Sequence, residues 1–112
     1  MAALTATTPT RTGATVAGAA VASTDTISAA QLGSQGALLE IINGNASTNN
    51  VTISDDSVSP TGADATDVAA SILTATNKVF KVVPQMLNAA TRVVTITNSV
   101  TATVTYKLYP LG

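Results

Sequence analysis

Four of the six acidic residues, Asp55, Asp56, Asp64 and Asp67, fall in a single stretch, DDSVSPTGADATD. Carboxylates gathered in one loop could hold a hard cation such as Ca²⁺, which takes about six to eight oxygen ligands. The spacing argues against it. A helix–loop–helix calcium site needs ligands at alternate positions, a central glycine and a closing glutamate, and that order is missing. The expectation is a surface loop of solvated carboxylates with no metal. Paired carboxylates for glycoside chemistry fail on related grounds, because such a loop does not hold two acids at a fixed separation. Glu40 stands alone within an apolar run, ALLEIIN. It is expected to point outward from a sheet face and bridge to a Lys or Arg.

Two other patterns look like chemistry and are better read as turns. Gly33-Ser34-Gln35-Gly36 has the glycines of a phosphate loop, but lacks the Lys and the GxxxxGK[ST] frame. Asn45-Ala-Ser and Asn50-Val-Thr match the glycosylation sequon. Without a secretory signal, ordinary loop asparagines are the expectation.

The chain has no His and no Cys. That removes the commonest general base and metal ligand, the strongest nucleophile, thiolate metal sites and disulfides together. A Ser or Thr nucleophile would need a Lys or carboxylate as base, and Glu40, within its apolar strand, has no evident partner among its neighbours. The chain is read as non-enzymatic, with no cofactor and no small-molecule substrate.

Charge narrows the partners. The five basic residues, Arg11, Lys78, Lys81, Arg92 and Lys107, are scattered, and the formal net charge is −1. Nucleic-acid binding by counterion release needs a dense Lys/Arg footprint, and a membrane surface needs a polybasic patch. Neither is present. No apolar run approaches the roughly 20 residues of a membrane-spanning helix. The first twenty residues lack a basic segment ahead of an apolar one, so no secretory signal is expected, and synthesis in a reducing cytoplasm is.

The elements that must organise these residues are strands. Thr and Ala each occur twenty times, and β-branched Thr suits a pleated, half-exposed surface. With Phe80, Tyr106 and Tyr109 the sole aromatics, the core has to be built from Val, Ile, Leu and Ala. Ala37–Asn43 reads as a strand with Leu39 and Ile41 on one face. The polar loop GNASTNN leads to Val51-Thr-Ile-Ser54, expected to pair back as a hairpin. Residues 14–22 and Asp25-Thr26-Ile27 are weaker strand candidates, with Leu32 plugging the core from the next loop. Residues 68–76 fit a helical face, capped by Asp64 or Thr66, or a strand face, and strand is preferred, with Thr76-Asn77 turning into Lys78–Val83. Pro84 ends that strand, and Met86 and Leu87 cap the core edge. Residues 92–97 and 100–109 read as a second hairpin around Asn98-Ser99. Its second arm puts Val100, Ala102, Val104, Tyr106 and Leu108 on one face.

Six to eight short strands with no convincing helix predict an all-β chain: an antiparallel β-sandwich, jelly-roll-like, over residues 13–112. Residues 1–12 are expected to form an extended N-terminal arm that orders on a neighbouring subunit. Sandwich edges need guarding, and Lys and Pro are sparse here. An edge so thinly guarded is expected to be covered by a partner.

The stretches GALLEIINGNASTNNVTISD, NKVFKVVP and ATRVVTITNSVTATVTYKLYPLG, over about residues 33–112, together resemble the small head proteins of tailed bacteriophages, the capsid decoration or cement proteins. The resemblance implies a virion structural protein on the outer capsid surface, made in the cytoplasm of a bacterial host. It implies a homo-oligomer, a trimer at threefold or quasi-threefold positions, that clamps and stabilises the major capsid protein. Capsid contact then falls to the arm residues Leu4, Thr8, Pro9 and Arg11. The Ala-rich stretch 61–76 departs from the family pattern and leaves strand order open. Another virion part (tail tube, head-completion or fibre) remains an alternative, as does a secreted adhesive or carbohydrate-binding domain. Sugar platforms rely on exposed Trp or Tyr, which this chain scarcely has.

Overall fold

Alternation of side chains decides which face of each strand meets the core, and here it yields two facing sheets. The computed structural model describes residues 2–111 apart from residues 14, 59 and 64. The strands are β1 (Ala2–Ala3), β2 (Ala19–Ala20), β3 (Thr24–Ser28), β4 (Ala37–Asn43), β5 (Asn49–Ile53), β6 (Val68–Ile72), β7 (Thr76–Val82), β8 (Val93–Asn98) and β9 (Val104–Pro110). One turn of helix, α1 (Ala29–Leu32), follows β3, and a 3₁₀ turn, Pro84–Met86, follows β7. A five-stranded sheet runs β1-β3-β8-β5-β6, and a four-stranded sheet runs β2-β9-β4-β7. All pairings are antiparallel except β1 with β3. The fold is an all-β sandwich.

β4 shows how local pattern becomes packing. Ala37, Leu39, Ile41 and Asn43 are buried, while Leu38, Glu40 and Ile42 between them are half-buried on the outer face. The same rhythm buries Val51 and Ile53 in β5, Val94 and Ile96 in β8, and Val104, Tyr106 and Leu108 in β9. Each fully buried Val, Leu or Ile contributes about 1.5–3 kcal/mol by leaving water, so an aliphatic core can hold this sandwich without Trp. Leu32 is delivered to the core by α1, which Ser28 and Gln31 cap reciprocally: Gln31 N–H donates to Ser28 Oγ at 3.3 Å and Ser28 N–H to Gln31 Oε1 at 3.0 Å. The turn after α1 closes on Gly36, at φ +84°. A Cβ there would lie 2.3 Å from the Val82 carbonyl oxygen, so only glycine fits.

The connections differ from the expected hairpins. β4 pairs with β7 and β9, whereas β5 pairs with β6 and β8, so the loop 44–48 arches from one sheet to the other. β8 and β9 likewise lie in different sheets. Of the connections, only β5 to β6 stays within one sheet. The second arm also begins later than its alternation suggested: β9 starts at Val104, and Ala102 is exposed. A period of two reports which face is buried, and it is blind to which strand lies alongside.

The ambiguous stretch 68–76 is strand over Val68–Ile72, and the turn sits at residues 73–75, one step before the expected Thr76-Asn77. Asp64, one of the suggested helix caps, is outside the described residues. Among the described residues of the candidate strand 14–22, only Ala19–Ala20 is strand, against Thr105 and Tyr106 of β9. β7 ends at Val82 ahead of Pro84, and Met86 and Leu87 close the core edge as expected.

Candidate docking surfaces

The N-terminal residues are held by their own chain. β1 pairs with Asp25 and Thr26 of β3, and Leu4 N–H donates to the Thr26 carbonyl at 2.9 Å. The Leu4 side chain is buried at 4% exposure among the core residues. Thr5 N–H then donates to Tyr106 Oη at 2.8 Å and Thr7 N–H to the Leu108 carbonyl at 2.8 Å, both on the opposite sheet. Gln31 Nε2 donates to the Leu4 carbonyl, tying this segment to α1. Residues 2–7 therefore stitch the two sheets together. The expected arm divides at this point: Thr8, Pro9 and Arg11 are exposed, and Leu4 is unavailable to a partner in this conformation. A lone Leu among Ala and Thr carries no periodicity, so nothing in the pattern marked it as core.

Two carboxylates of the acidic loop, Asp55 and Asp67, bond within the loop. Asp55 Oδ1 accepts from Ser57 N–H at 3.0 Å and from Ser57 Oγ at 2.6 Å, and Asp67 Oδ1 accepts from Asp55 N–H at 3.0 Å. Among the described residues no group of three or more acidic side chains is placed to hold a metal. Glu40 faces outward as expected, but its carboxylate accepts from Asn77 Nδ2, and it makes no ion pair among the described residues. Lys107 stands opposite it in the ladder on β9. Of the two sequon asparagines, Asn45 is engaged on three sides. It donates from Nδ2 to the Ala102 carbonyl at 2.9 Å, accepts at Oδ1 from Ser47 N–H at 2.9 Å, and donates its own N–H to Asn43 Oδ1 at 2.9 Å. Asn50 is exposed and accepts from Ser71 Oγ at 2.8 Å.

One buried acid stands apart. Asp25 is 2% exposed on the core-facing side of β3. Burial raises its pKa above the ordinary value, opposed by the hydrogen bond its Oδ2 accepts from Ala22 N–H at 3.0 Å. The hydrogen bond it accepts from the Ala22 N–H holds the turn that leads into β3.

What the surface does offer is an apolar flank. Val68 at 36% exposure opens β6, Leu73 at 61% follows its end, and Val79 at 59% lies on the outer face of β7. β6 and β7 are the terminal strands of their two sheets and are joined directly by the 73–75 turn, so all three residues lie on edge strands or the turn between them, Val79 on the outer face of its sheet. The sequence held these residues in plain view, but only strand order reveals that they stand at sheet edges. No family model, curated protein or solved structure matches this chain.

Proposed function

We propose that this chain is a structural docking module: a decoration protein that binds the major capsid protein of a tailed bacteriophage and stabilises its shell as a homo-oligomer. The observation that carries the docking half of this reading is the exposed flank of Val68, Leu73 and Val79 along the β6 and β7 edges. Exposed apolar side chains beside an open strand edge favour contact with another polypeptide over contact with water. The phage half rests on the resemblance of residues 33–112 to small head proteins. A shell suits weak edges, because an oligomer touching several subunits at once raises effective concentration and turns modest contacts into firm attachment.

Purified chain mixed with shells of its own virus, stripped of small head proteins, tests this reading. The expected result is many copies spread over the shell surface and a higher temperature of shell disruption. Absence from the shell, or a few copies confined to one vertex, would reject the decoration role.

A further inference from the structure

An asparagine followed by glycine carries its own chemistry. The glycine's backbone nitrogen can attack the asparagine side-chain carbonyl carbon, and glycine, lacking a Cβ, leaves that approach unhindered. The chain has one such pair, Asn43-Gly44, where β4 ends and the arch to β5 begins. Packing demands the glycine: a Cβ on it would lie 2.8 Å from the Thr103 carbonyl oxygen.

The same packing restrains both reacting groups. Asn43 is fully buried. Its Nδ2 donates to the Ser47 carbonyl at 2.8 Å and to the Ile72 carbonyl at 2.9 Å, and its Oδ1 accepts from Asn45 N–H at 2.9 Å. The nucleophile is engaged as well, because Gly44 N–H donates to the Thr103 carbonyl at 3.0 Å. The Asn43 carbonyl accepts from Ala75 N–H at 2.9 Å, so the backbone between side chain and nitrogen is pinned while the sandwich is closed.

We propose that Asn43-Gly44 is a self-modification site closed by folding, which converts when this end of the sandwich opens and then bars the chain from refolding. In the opened chain hydroxide removes the Gly44 amide proton, the nitrogen bonds to Asn43 Cγ, and Nδ2 leaves as ammonia. Water then opens the cyclic imide to aspartate or, with the main chain rerouted through Cγ, to isoaspartate. Neither product fits the folded site. Where Nδ2 made two hydrogen bonds, an anionic oxygen would face the Ser47 and Ile72 carbonyls with no proton to offer, a buried and unpaired charge. Isoaspartate also lengthens the main chain by a methylene at the position that pairs with Thr76 and Val104. The site needs no partner, so it is independent of the docking reading.

Closing is fast beside this chemistry, so the native rate is the unfolded rate scaled by the fraction open. The full chain is held in mildly alkaline heavy-oxygen water with and without urea, and fragment masses locate the incorporated oxygen. Residue 43 should convert in urea, and about a hundredfold or more slowly in native buffer. After dilution from urea the converted molecules should stay unfolded while the unconverted ones refold. Asn43→Asp has the product's charge without the rerouted main chain, and it should be unfolded or unfold at much lower urea. Native conversion within about tenfold of the urea rate would overturn the gating. Label entering in urea at Asn50 or Asn98 but not at residue 43 would remove the site. Converted chains that refold in step with the rest, or an Asn43→Asp variant as stable as the unaltered chain, would overturn the exclusion.

Discussion

Asn49 Nδ2 donates to Asn98 Oδ1 at 3.1 Å inside the sandwich, with Asn49 fully buried and Asn98 at 4% exposure. The first residue of β5 and the last of β8 are joined there, at the end where the chain arches between sheets four times. Asn49 Oδ1 also accepts from Val100 N–H at 3.2 Å, and Asn98 Nδ2 donates to the Ala22 carbonyl at 3.2 Å. One pair of amides thus satisfies the backbone of two loops that no ladder reaches. Asn43, fully buried at the end of β4, does the same by donating from Nδ2 to the Ser47 carbonyl at 2.8 Å and to that of Ile72 at 2.9 Å.

Removing one member of the pair should therefore cost more than its single bond. Asn98→Ala leaves Asn49 Nδ2 and the Ala22 carbonyl without their partner, and each buried orphan costs about 1–3 kcal/mol. Urea unfolding should show a loss of about 2–4 kcal/mol with an unchanged slope. A loss below about 0.5 kcal/mol would mean that water enters and the amides do not organise the arches.

Those three asparagines also explain what the sequence concealed. Period-two runs at 37–43, 51–53 and 104–108 identified strands and buried faces, because alternation is a local property of one strand. Asn49 and Asn98 read as loop residues by type, Asn43 as the polar end of a strand, and polar loops between strands suggested hairpins. Their burial in side-chain-to-backbone bonds depends on partners up to 76 positions away, as in Asn98 with Ala22. The edge character of β6 was hidden for the same reason. An unguarded strand and a covered one have the same alternation, and only the order of the sheet separates them.

The N-terminal stitch predicts a stability role for a segment that composition marks as an extended arm. Leu4→Ala should destabilise the fold by about 2–4 kcal/mol, as for other leucines lost from a core. Tyr106→Phe removes the acceptor for Thr5 N–H and should cost about 1 kcal/mol. Deletion of residues 8–13 is a different matter, since those side chains are exposed, and it should leave thermal unfolding little changed once the linker still reaches β2. Equal stability of Leu4→Ala and the unaltered chain would show that residues 2–7 do not pack as described.

Strain offers a stabilising change at the same end of the sandwich. Thr103 is β-branched and sits at φ +56°, in the left-handed region that such residues avoid. Its carbonyl accepts from Gly44 N–H at 3.0 Å, which fixes the backbone there. Asn tolerates this conformation far better, and the left-handed penalty is about 1–2 kcal/mol per residue. Thr103→Asn should therefore stabilise by about 0.5–1.5 kcal/mol in chemical denaturation. A loss of stability would show that the Thr103 hydroxyl, which donates to the Ala102 carbonyl at 2.6 Å, outweighs the strain.

Asp25 gives the fold a pH dependence of definite sign. Burial lifts its pKa in the folded chain above the ordinary 3.8, so the folded state holds its proton more tightly than the unfolded state does. Stability from this group is therefore greatest at low pH, falls as pH rises from 3.8 through the raised folded value, and is flat above it. At neutral pH the ionised carboxylate is a standing cost, partly offset by the Ala22 N–H it accepts. Asp25→Asn keeps an oxygen for that N–H and removes the charge. The variant should be more stable than the unaltered chain at pH 7, with the gap narrowing as pH falls toward 3. Urea midpoints of the two proteins across that range measure the difference curve. A gap that widens toward acid, or a variant less stable at pH 7 than at pH 3 relative to the unaltered chain, would reverse the sign and show the carboxylate to be stabilised in its charged form.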